Sequence, residues 1–351
     1  MRRQVYGRIK ITNATTCAQT RKSKKKRLIL LLNCQRDWTY KIINIMINKP
    51  CLFASLFLFI GLGLSCNAPQ QRDEDTATAQ QPAVNLPCCQ DSIPRYTARR
   101  IETAPVIDGK LDEDIWKNAQ QSSRFVDLIH GTDTYMDTRA AVLWDDEYLY
   151  VGYWLEEPNV TATLTERDSP IYQDNDAELF IAGADGYYEF EINSFGTIYE
   201  VLFFWKEAFE KNGYQQIAEL DTTREGARPF NGVGYRNHPR GKRIGFFNWD
   251  FPGLLSAVHI DGTINDPSDT DKGWTVELAV PWKGLELLAK GDGRALPPNH
   301  GDEWRMDFSR FNTHKKDTTD SGGWAWSSHG VWDSHVPECF TYITFSTETA
   351  D

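Results

Sequence analysis

The chain has 351 residues, of which 40% are hydrophobic and 25% charged, and this balance excludes a collagen-like or wholly disordered protein. Its formal net charge of −11 argues against nucleic acid as the main partner. Aromatic residues reach 13%, which favours β-structure and surfaces on which flat ligands stack.

The amino-terminal residues differ sharply in charge from the rest of the chain. Residues 1–49 carry a formal charge of +12, whereas the remaining residues carry −23. The uncharged run from Cys51 to Leu64 is short for a membrane-spanning helix, but it has the length of the apolar region of a signal peptide. We therefore interpret residues 1–45 as an upstream extension translated from an early start codon, and residues 46–66 as an export signal.

The end of this signal indicates lipidation. The sequence Gly63-Leu64-Ser65-Cys66 resembles a bacterial lipoprotein signal, in which Cys66 would carry the lipid. Gly63 stands where that pattern has an aliphatic residue, so a plain secretory signal remains the alternative. Residues 67–94 are rich in Gln, Ala, Pro and Asp and are predicted to form a disordered tether. The expected location is the bacterial outer membrane or cell surface through the lipid, or otherwise the periplasm or the medium.

Residues 95–346 are predicted to form one β-rich domain. Trp274–Pro281 alternates apolar and polar residues, and Arg139–Trp144 and Tyr148–Leu155 form a hairpin around an acidic turn. Helical patterns are few and short. The sequence therefore predicts an all-β fold, a two-sheet antiparallel β-sandwich with short peripheral helices. Further strands are expected at Ala177–Ala182, Tyr187–Asn193, Thr197–Phe204, Glu303–Phe311 and Phe340–Phe345. Lys206–Ser256 is expected to be a large insertion or a set of loops at one end.

The cysteines that follow the export signal suggest a disulfide. Adjacent cysteines bridge each other only with strain, so Cys88 or Cys89 is expected to pair with Cys339 in an exported protein. Free, buried cysteines are the alternative.

Four segments in this order resemble the family 9 carbohydrate-binding modules, which belong to the DOMON-like, jelly-roll-type sandwiches. They are PVIDGKLDEDIW at Pro105–Trp116, LWDDEYLYVGYWLEEP at Leu143–Pro158, PIYQDNDAELFI at Pro170–Ile181 and GWTVELAVPWKGL at Gly273–Leu285. The resemblance implies a non-catalytic module that binds the end of a poly- or oligosaccharide chain between aromatic side chains. It also implies a role beside polysaccharide-degrading enzymes, with the membrane reached only through the lipid anchor.

The resemblance also implies which residues contact the sugar. Glu178 matches an acidic position of the family, and Tyr172 stands six residues earlier, where the family has Trp. The second aromatic residue of the family is matched best by Trp332, with Trp326 and Trp324 as rivals. Glu191 alternates with apolar neighbours, so it faces either a binding groove or ordinary solvent.

Calcium often braces the loops of this family. Here it could use Asp145, Asp146, Asp174 and Asp176, which are hard oxygen donors near predicted turns. No other cofactor is expected.

Two other functions remain open. A glycoside hydrolase on the same fold would need two carboxylates that flank a glycosidic bond, which spacing alone does not identify. A haem-binding DOMON domain would need axial ligands from Met136, Met306 or the histidines. Neither has a motif of its own in the sequence, so binding without catalysis is favoured, while the sugar and its linkage stay undefined.

Overall fold

The computed structural model describes residues 85–313 and 319–349. The predicted upstream extension, the export signal with Cys66 and the tether up to residue 84 lie outside these residues. None of the helices in the described part of the chain has the length and apolar character that crossing a membrane requires.

The described residues form fourteen strands and a few short helices. The strands are β1 (Arg95–Arg100), β2 (Val126–Asp127), β3 (Thr138–Trp144), β4 (Tyr148–Glu156), β5 (Asp176–Ala182), β6 (Gly186–Asn193), β7 (Ile198–Trp205), β8 (Ala227–Phe230), β9 (Arg243–Phe247), β10 (Leu255–Asp261), β11 (Gly273–Pro281), β12 (Glu303–Phe311), β13 (Gly323–Ala325) and β14 (Thr341–Thr349). The α-helices are α1 (Asp114–Asn118), α2 (Lys206–Lys211) and α3 (Glu286–Ala289), and 3-10 turns lie at Gln90–Ser92, Ile171–Gln173, Tyr214–Gln216, Ala218–Leu220, Trp282–Leu285 and Pro337–Cys339.

The strands form two sheets that β1 joins into one continuous ladder. The first sheet has the order β10-β11-β4-β3, and the second has the order β14-β12-β5-β6-β7-β9-β8. Strand β1 runs parallel to β14 along its length, and through Arg99 and Arg100 it also runs parallel to β3. Because the other pairs are antiparallel, the predicted antiparallel sandwich is confirmed, with β1 as its parallel seam.

The main core lies between the inner faces of the two sheets. Val151 and Tyr153 of the first sheet share one buried cluster with Leu179 and Phe308 of the second. The Tyr153 hydroxyl donates to the backbone carbonyl of Glu178 at 2.7 Å, which ties the sheets together below the site described later. The alternating pattern of β11 is also confirmed, because Val276, Leu278 and Val280 all enter this cluster.

Two tryptophans that were sugar-contact candidates belong to this core. Trp324 and Trp326 are both buried. The Trp324 indole donates to Asp320 at 2.8 Å, and Trp326 packs edge-on against Tyr96 at 5.2 Å. The expectation that they contact a ligand is therefore wrong, because no ligand reaches a ring enclosed between the sheets.

The outer face of the first sheet is covered by the segment before β2. Trp116 of α1 packs against Trp154 of β4 at 6.3 Å, and its indole donates to Glu277 of β11 at 2.8 Å. The aspartate-glycine turn brings Gly109 onto β10, where a Cβ atom would lie 2.5 Å from the backbone carbon of Val258. The first of the four family-like segments thus covers the outer face of the first sheet. Gly109 permits this segment to approach the backbone of β10 closely.

Residues 85–94 are part of the fold, so the predicted tether is wrong at its carboxyl end. Cys88 forms a disulfide with Cys339, with 5.8 Å between their Cα atoms. Cys88 and Ile93 are buried in a small cluster with Val336 and Cys339. Of the two pairings that the sequence left open, the structure shows Cys88 with Cys339.

The stretch predicted as loops, Lys206–Ser256, supplies two strands of the second sheet. Strand β9 pairs with β7, and β8 pairs with β9. These strands extend the sheet beyond β7 and provide one wall of the cavity on its outer face.

Candidate carbohydrate site

A cavity of about 360 Å³ lies on the outer face of the second sheet. Strands β5, β6 and β7 form its floor, and residues from β8, β9 and the segment before β14 form its walls. It is lined by Tyr172, Glu178, Phe180, Glu189, Glu191, Tyr199, Phe203, Arg228, Phe230, Val233, Phe247, Phe311, Trp332, Asp333, Ser334 and His335. Aromatic and acidic side chains thus dominate the lining.

The floor is acidic because strand alternation points three glutamates outward. Glu178 of β5 lies directly opposite Glu191 of β6 in the antiparallel register. Glu189 follows the same alternation, while Phe190 and Ile192 between and beyond them enter the core. All three glutamates are nevertheless buried, since the walls of the cavity rise around them.

Asp176 joins two of these glutamates in a cluster. One carboxylate oxygen from each of Asp176, Glu178 and Glu191 lies within 4.8 Å of the other two. Asp176 Oδ1 accepts the backbone N–H of Phe311 at 2.9 Å, and Glu178 Oε2 accepts the Ser309 hydroxyl at 2.9 Å. Asp176 Oδ2 and Glu191 Oε2 have no hydrogen-bond partner in the described part of the chain.

The electrostatics of the floor follow from its burial. Burial raises the pKa of Glu178 to about 8, even though Ser309 donates to its carboxylate. Burial, followed by repulsion from neighbouring carboxylates, also raises the pKa values of Asp176, Glu189 and Glu191 well above their usual range. Burial lowers the pKa of His335 to about 3, so this ring is neutral and brings no compensating charge.

The wall that carries Trp332 is fixed by an aspartate. Asp333 Oδ2 accepts the backbone N–H groups of Val233, Gly234 and Tyr235 at 2.8–2.9 Å. Asp333 Oδ1 accepts the N–H of His335 at 2.9 Å. These bonds join the segment before β14 to the segment after β8, so that Trp332 is held over the cavity with its ring 5.0 Å from that of Phe311.

The opposite wall carries Tyr172. The short turn Ile171–Gln173 precedes β5 and buries Ile171, which leaves Tyr172 on the outside with 53% of its surface exposed. Its ring packs edge-on against Tyr199 at 5.9 Å. Its other side is therefore available to a ligand.

The structure brings together four of the sequence-predicted site residues, namely Tyr172, Glu178, Glu191 and Trp332. Their contact with sugar stays a prediction. Sequence reasoning missed Arg228, Phe230 and Val233, because they lie in the stretch predicted as loops. Arg228 stands at the rim, with its guanidinium 3.7 Å from the centre of the Phe247 ring.

The structure does not bring the four predicted calcium ligands together. Asp145 accepts the N–H groups of Glu147 and Tyr148, both at 2.8 Å, and closes the turn between β3 and β4. Asp146 pairs with Arg100.

The other two predicted calcium ligands, Asp174 and Asp176, also lie in different environments. Asp174 accepts hydrogen bonds from Thr163 and Leu164 and braces a loop, whereas Asp176 lies in the acidic cluster. The predicted set is thus wrong as a set, and calcium binding itself stays a prediction. Met136 and Met306, which were considered as haem ligands, are buried in the main core.

The fold is a β-sandwich with an aromatic and acidic cavity on one outer face. Residues 107–227 match the family model described as carbohydrate family 9 binding domain-like. The matched residues include most of the first of the four segments quoted above and all of the second and third.

Endo-1,4-beta-xylanase A from Thermotoga maritima is 27% identical to this chain over 168 residues, which cover 42% of this chain and 15% of the xylanase. The enzyme of the same name from Thermotoga neapolitana matches with the same identity and coverage. The chain thus spans about 15% of the length of these curated relatives.

Solved structures of a family 9 carbohydrate-binding module from Caldicellulosiruptor kristjanssonii are also similar to this chain. The complex with glucose has a TM-score of 0.39 and 13% identity, and covers 73% of this chain and 98% of the module. The complex with cellotriose has a TM-score of 0.39 and 14% identity, and covers 72% of this chain and 95% of the module.

Proposed function

We propose that the protein binds the end of a poly- or oligosaccharide chain in the cavity on the second sheet, without cleaving it. Tyr172 and Trp332 stack on the sugar, while Glu178 and Glu191 accept hydrogen bonds from its hydroxyl groups. The observation that carries this proposal is that these four side chains line one cavity.

The chemistry of the cavity supports this function. A sugar ring has apolar C–H faces edged with hydroxyl groups, so it suits a site with aromatic walls and a polar floor. The volume of about 360 Å³ lies within the range of small-molecule sites. The floor is sunk into one face of the sheet, which favours the end of a chain over its middle.

The setting of this binding is also a proposal. If Cys66 carries a lipid, the domain is held at the bacterial cell envelope and concentrates polysaccharide there for degrading enzymes. Replacing Cys66 with Ser would then release the protein from the membrane fraction. A chain that stays in the membrane after this change would contradict the anchor but leave the sugar site untouched.

Calorimetric titration with glucose and cello-oligosaccharides tests the site. Tyr172→Ala and Trp332→Ala should each weaken binding about tenfold or more, because a stacking aromatic at a binding site is worth about 2 kcal/mol. The control is Tyr135→Ala, the same change at an aromatic residue that is 70% exposed and outside the cavity. It should leave affinity unchanged.

Thermal melts of the same variants separate binding from folding. Tyr172 is largely exposed, so its loss should leave the melting temperature nearly unchanged. Unchanged affinity in both cavity variants would place the sugar elsewhere and contradict the proposal. Release of reducing sugar from a polysaccharide would instead identify a glycoside hydrolase.

A further inference from the structure

The floor of the cavity holds more carboxyl groups than there are cations or hydrogen-bond donors to pair with them. Glu178, Glu189, Glu191 and Asp333 line it, and Asp176 lies against Glu178 and Glu191. Among these, Asp333 is fully engaged by backbone N–H groups, and Glu189 lies 3.5 Å from a neutral His335. The cluster of Asp176, Glu178 and Glu191 is engaged only in part. Phe311 donates to Asp176 Oδ1 and Ser309 donates to Glu178 Oε2, but the second oxygen of Asp176 and Oε2 of Glu191 have no partner within the described residues.

The arginines near this cluster donate no hydrogen bond to it within the described residues, although the charge of Arg310 partly offsets the raised pKa of Asp176. Arg310 pairs with Glu157 and donates to the Glu156 carbonyl at 2.8 Å. Arg243 lies outside the lining, with its guanidinium 4.5 Å from the centre of the Trp205 ring. Arg228 is at the rim on Phe247. No arginine or lysine in the described part of the chain forms an ion pair with any member of the cluster.

Two carboxylate oxygens of the cluster are acceptors without a hydrogen-bond donor in the described part of the chain. Asp176 Oδ2 and Glu191 Oε2 are buried and lack a hydrogen-bond partner within the described residues. A buried acceptor without a donor costs about 1–3 kcal/mol, and more when it is charged. A ligand that supplies donors and positive charge would remove this cost. Its charge would also lower the raised pKa values of these carboxyl groups, so that they ionise when it binds.

We propose that the Asp176–Glu178–Glu191 cluster binds a protonated primary amine, so that the preferred ligand is an amino sugar with a free amino group. This inference rests on the proposed sugar site and names its ligand class. The ammonium group lies on the floor between the three carboxylates, and the sugar ring stacks on the aromatic walls above it.

The geometry favours an amine over a metal ion. An ammonium group has three free N–H donors, and the cluster offers three carboxylates. With N–O distances of about 2.8 Å and tetrahedral angles, three acceptors around an ammonium group lie about 4.6 Å apart. The three carboxylate oxygens here lie within 4.8 Å of one another, so such a group fits between them. Calcium prefers six to eight oxygen ligands. The aromatic walls supply none of the remainder, but they do suit an organic cation.

Calorimetric titration of the whole protein with three sugars at neutral pH tests this inference. The sugars are glucosamine, glucose and N-acetylglucosamine, which share a ring but differ in charge at one position. Glucosamine should bind about tenfold or more tightly than either neutral sugar, the factor expected of a hydrogen bond to a charged group.

Two variants replace a carboxyl group of the cluster with an amide of similar shape, which cannot ionise around the ammonium group. Glu191→Gln and Asp176→Asn should each reduce the preference for glucosamine over glucose to about threefold or less. The matched control is Glu189→Gln, on the same strand and in the same cavity but outside the cluster. It should keep most of the preference. Thermal melts confirm that each variant is folded.

The outcomes separate this inference from the proposed function. Equal affinity for glucosamine and glucose would overturn the amine site and leave sugar binding intact. Stoichiometric binding of calcium chloride that is lost in Glu191→Gln would identify a metal site instead and also overturn it. No binding of any of the three sugars would contradict both proposals.

Discussion

Glu178 has a carboxylate that the fold keeps away from water at the centre of the cavity floor. Burial raises its pKa to about 8, compared with about 4.5 for an exposed glutamate. A folded-state pKa above the unfolded value means that the native state retains a proton between these two pH values. Its contribution to stability is therefore full below about pH 4.5 and is lost as the pH rises through about 8.

We predict that Glu178→Gln makes the free energy of unfolding less dependent on pH. Glutamine keeps an acceptor for Ser309 but never becomes charged, so the variant should be more stable than the wild type at pH 8, by about 1–3 kcal/mol. The difference should be smaller at pH 5, as measured by urea unfolding at both values. Glu207→Gln, on the exposed surface of α2, is the control and should change neither value comparably. A stability curve parallel to that of the wild type would contradict the prediction.

At the residue scale, the sequence identified site residues that lie close together along the chain. Tyr172 and Glu178 lie on one short segment, and the resemblance of this segment to the family 9 modules marked both residues as sugar contacts. Trp324 and Trp326 were misjudged because a segment rich in Gly and Ser resembles a surface loop. Their burial depends on Asp320 and Tyr96, which no local pattern brings to them.

At the scale of elements, the wall that carries Trp332 depends on residues 85–88, which precede β1. Gly330, at a φ of 72°, lies so close to this segment that a Cβ atom would be 2.3 Å from the carbonyl oxygen of Pro87. The Tyr235 hydroxyl donates to the carbonyl of Asn85 at 2.9 Å. The disulfide between Cys88 and Cys339 fixes this arrangement on the other side of Trp332.

We expect the double variant Cys88→Ser/Cys339→Ser to lose both stability and sugar affinity. Removing a native disulfide typically costs about 2–5 kcal/mol. The wall between Gly330 and Cys339 should also become less ordered, so that the affinity falls more than in Tyr135→Ala. Urea unfolding and calorimetric titration of the variant measure the two effects. Wild-type affinity at reduced stability would show that the wall is held by Asp333 alone.

The sequence predicted the bounds of strands whose apolar and polar residues alternate clearly. The hairpin of β3 and β4, and strands β5, β6, β11 and β12, lie within one or two residues of their predicted bounds. Strands β8 and β9 were missed because they are short and carry Pro229 and Gly245, which disfavour a strand locally. Pairing with β7 stabilises them, and such pairing is not visible in a short window of sequence.

For the whole molecule, the described residues from Asn85 onward belong to one compact unit. We predict that a fragment covering residues 85–349 unfolds in a single cooperative transition, because β1 links the sheets and one core lies between them. Scanning calorimetry should give equal calorimetric and van't Hoff enthalpies.

A shorter fragment is the control for this prediction. A chain that begins at Ile101 lacks β1 and leaves the edges of β3 and β14 unpaired. We expect it to aggregate or to melt at a markedly lower temperature, since unpaired strand edges recruit other chains. Two separate transitions in the longer fragment would show that the sheets are independent units.

The parallel pairing of β1 with β14 affects how the chain folds during its synthesis. Of the strands in the described residues, β1 is the first to leave the ribosome and its partner β14 is the last. A fold whose first and last strands pair has a high contact order and closes slowly. Until β14 arrives, the core between the two sheets is incomplete, and such a partly folded chain is prone to aggregate. A chain released just before β14 would carry the entire floor of the cavity and still fail to close the sandwich beneath it.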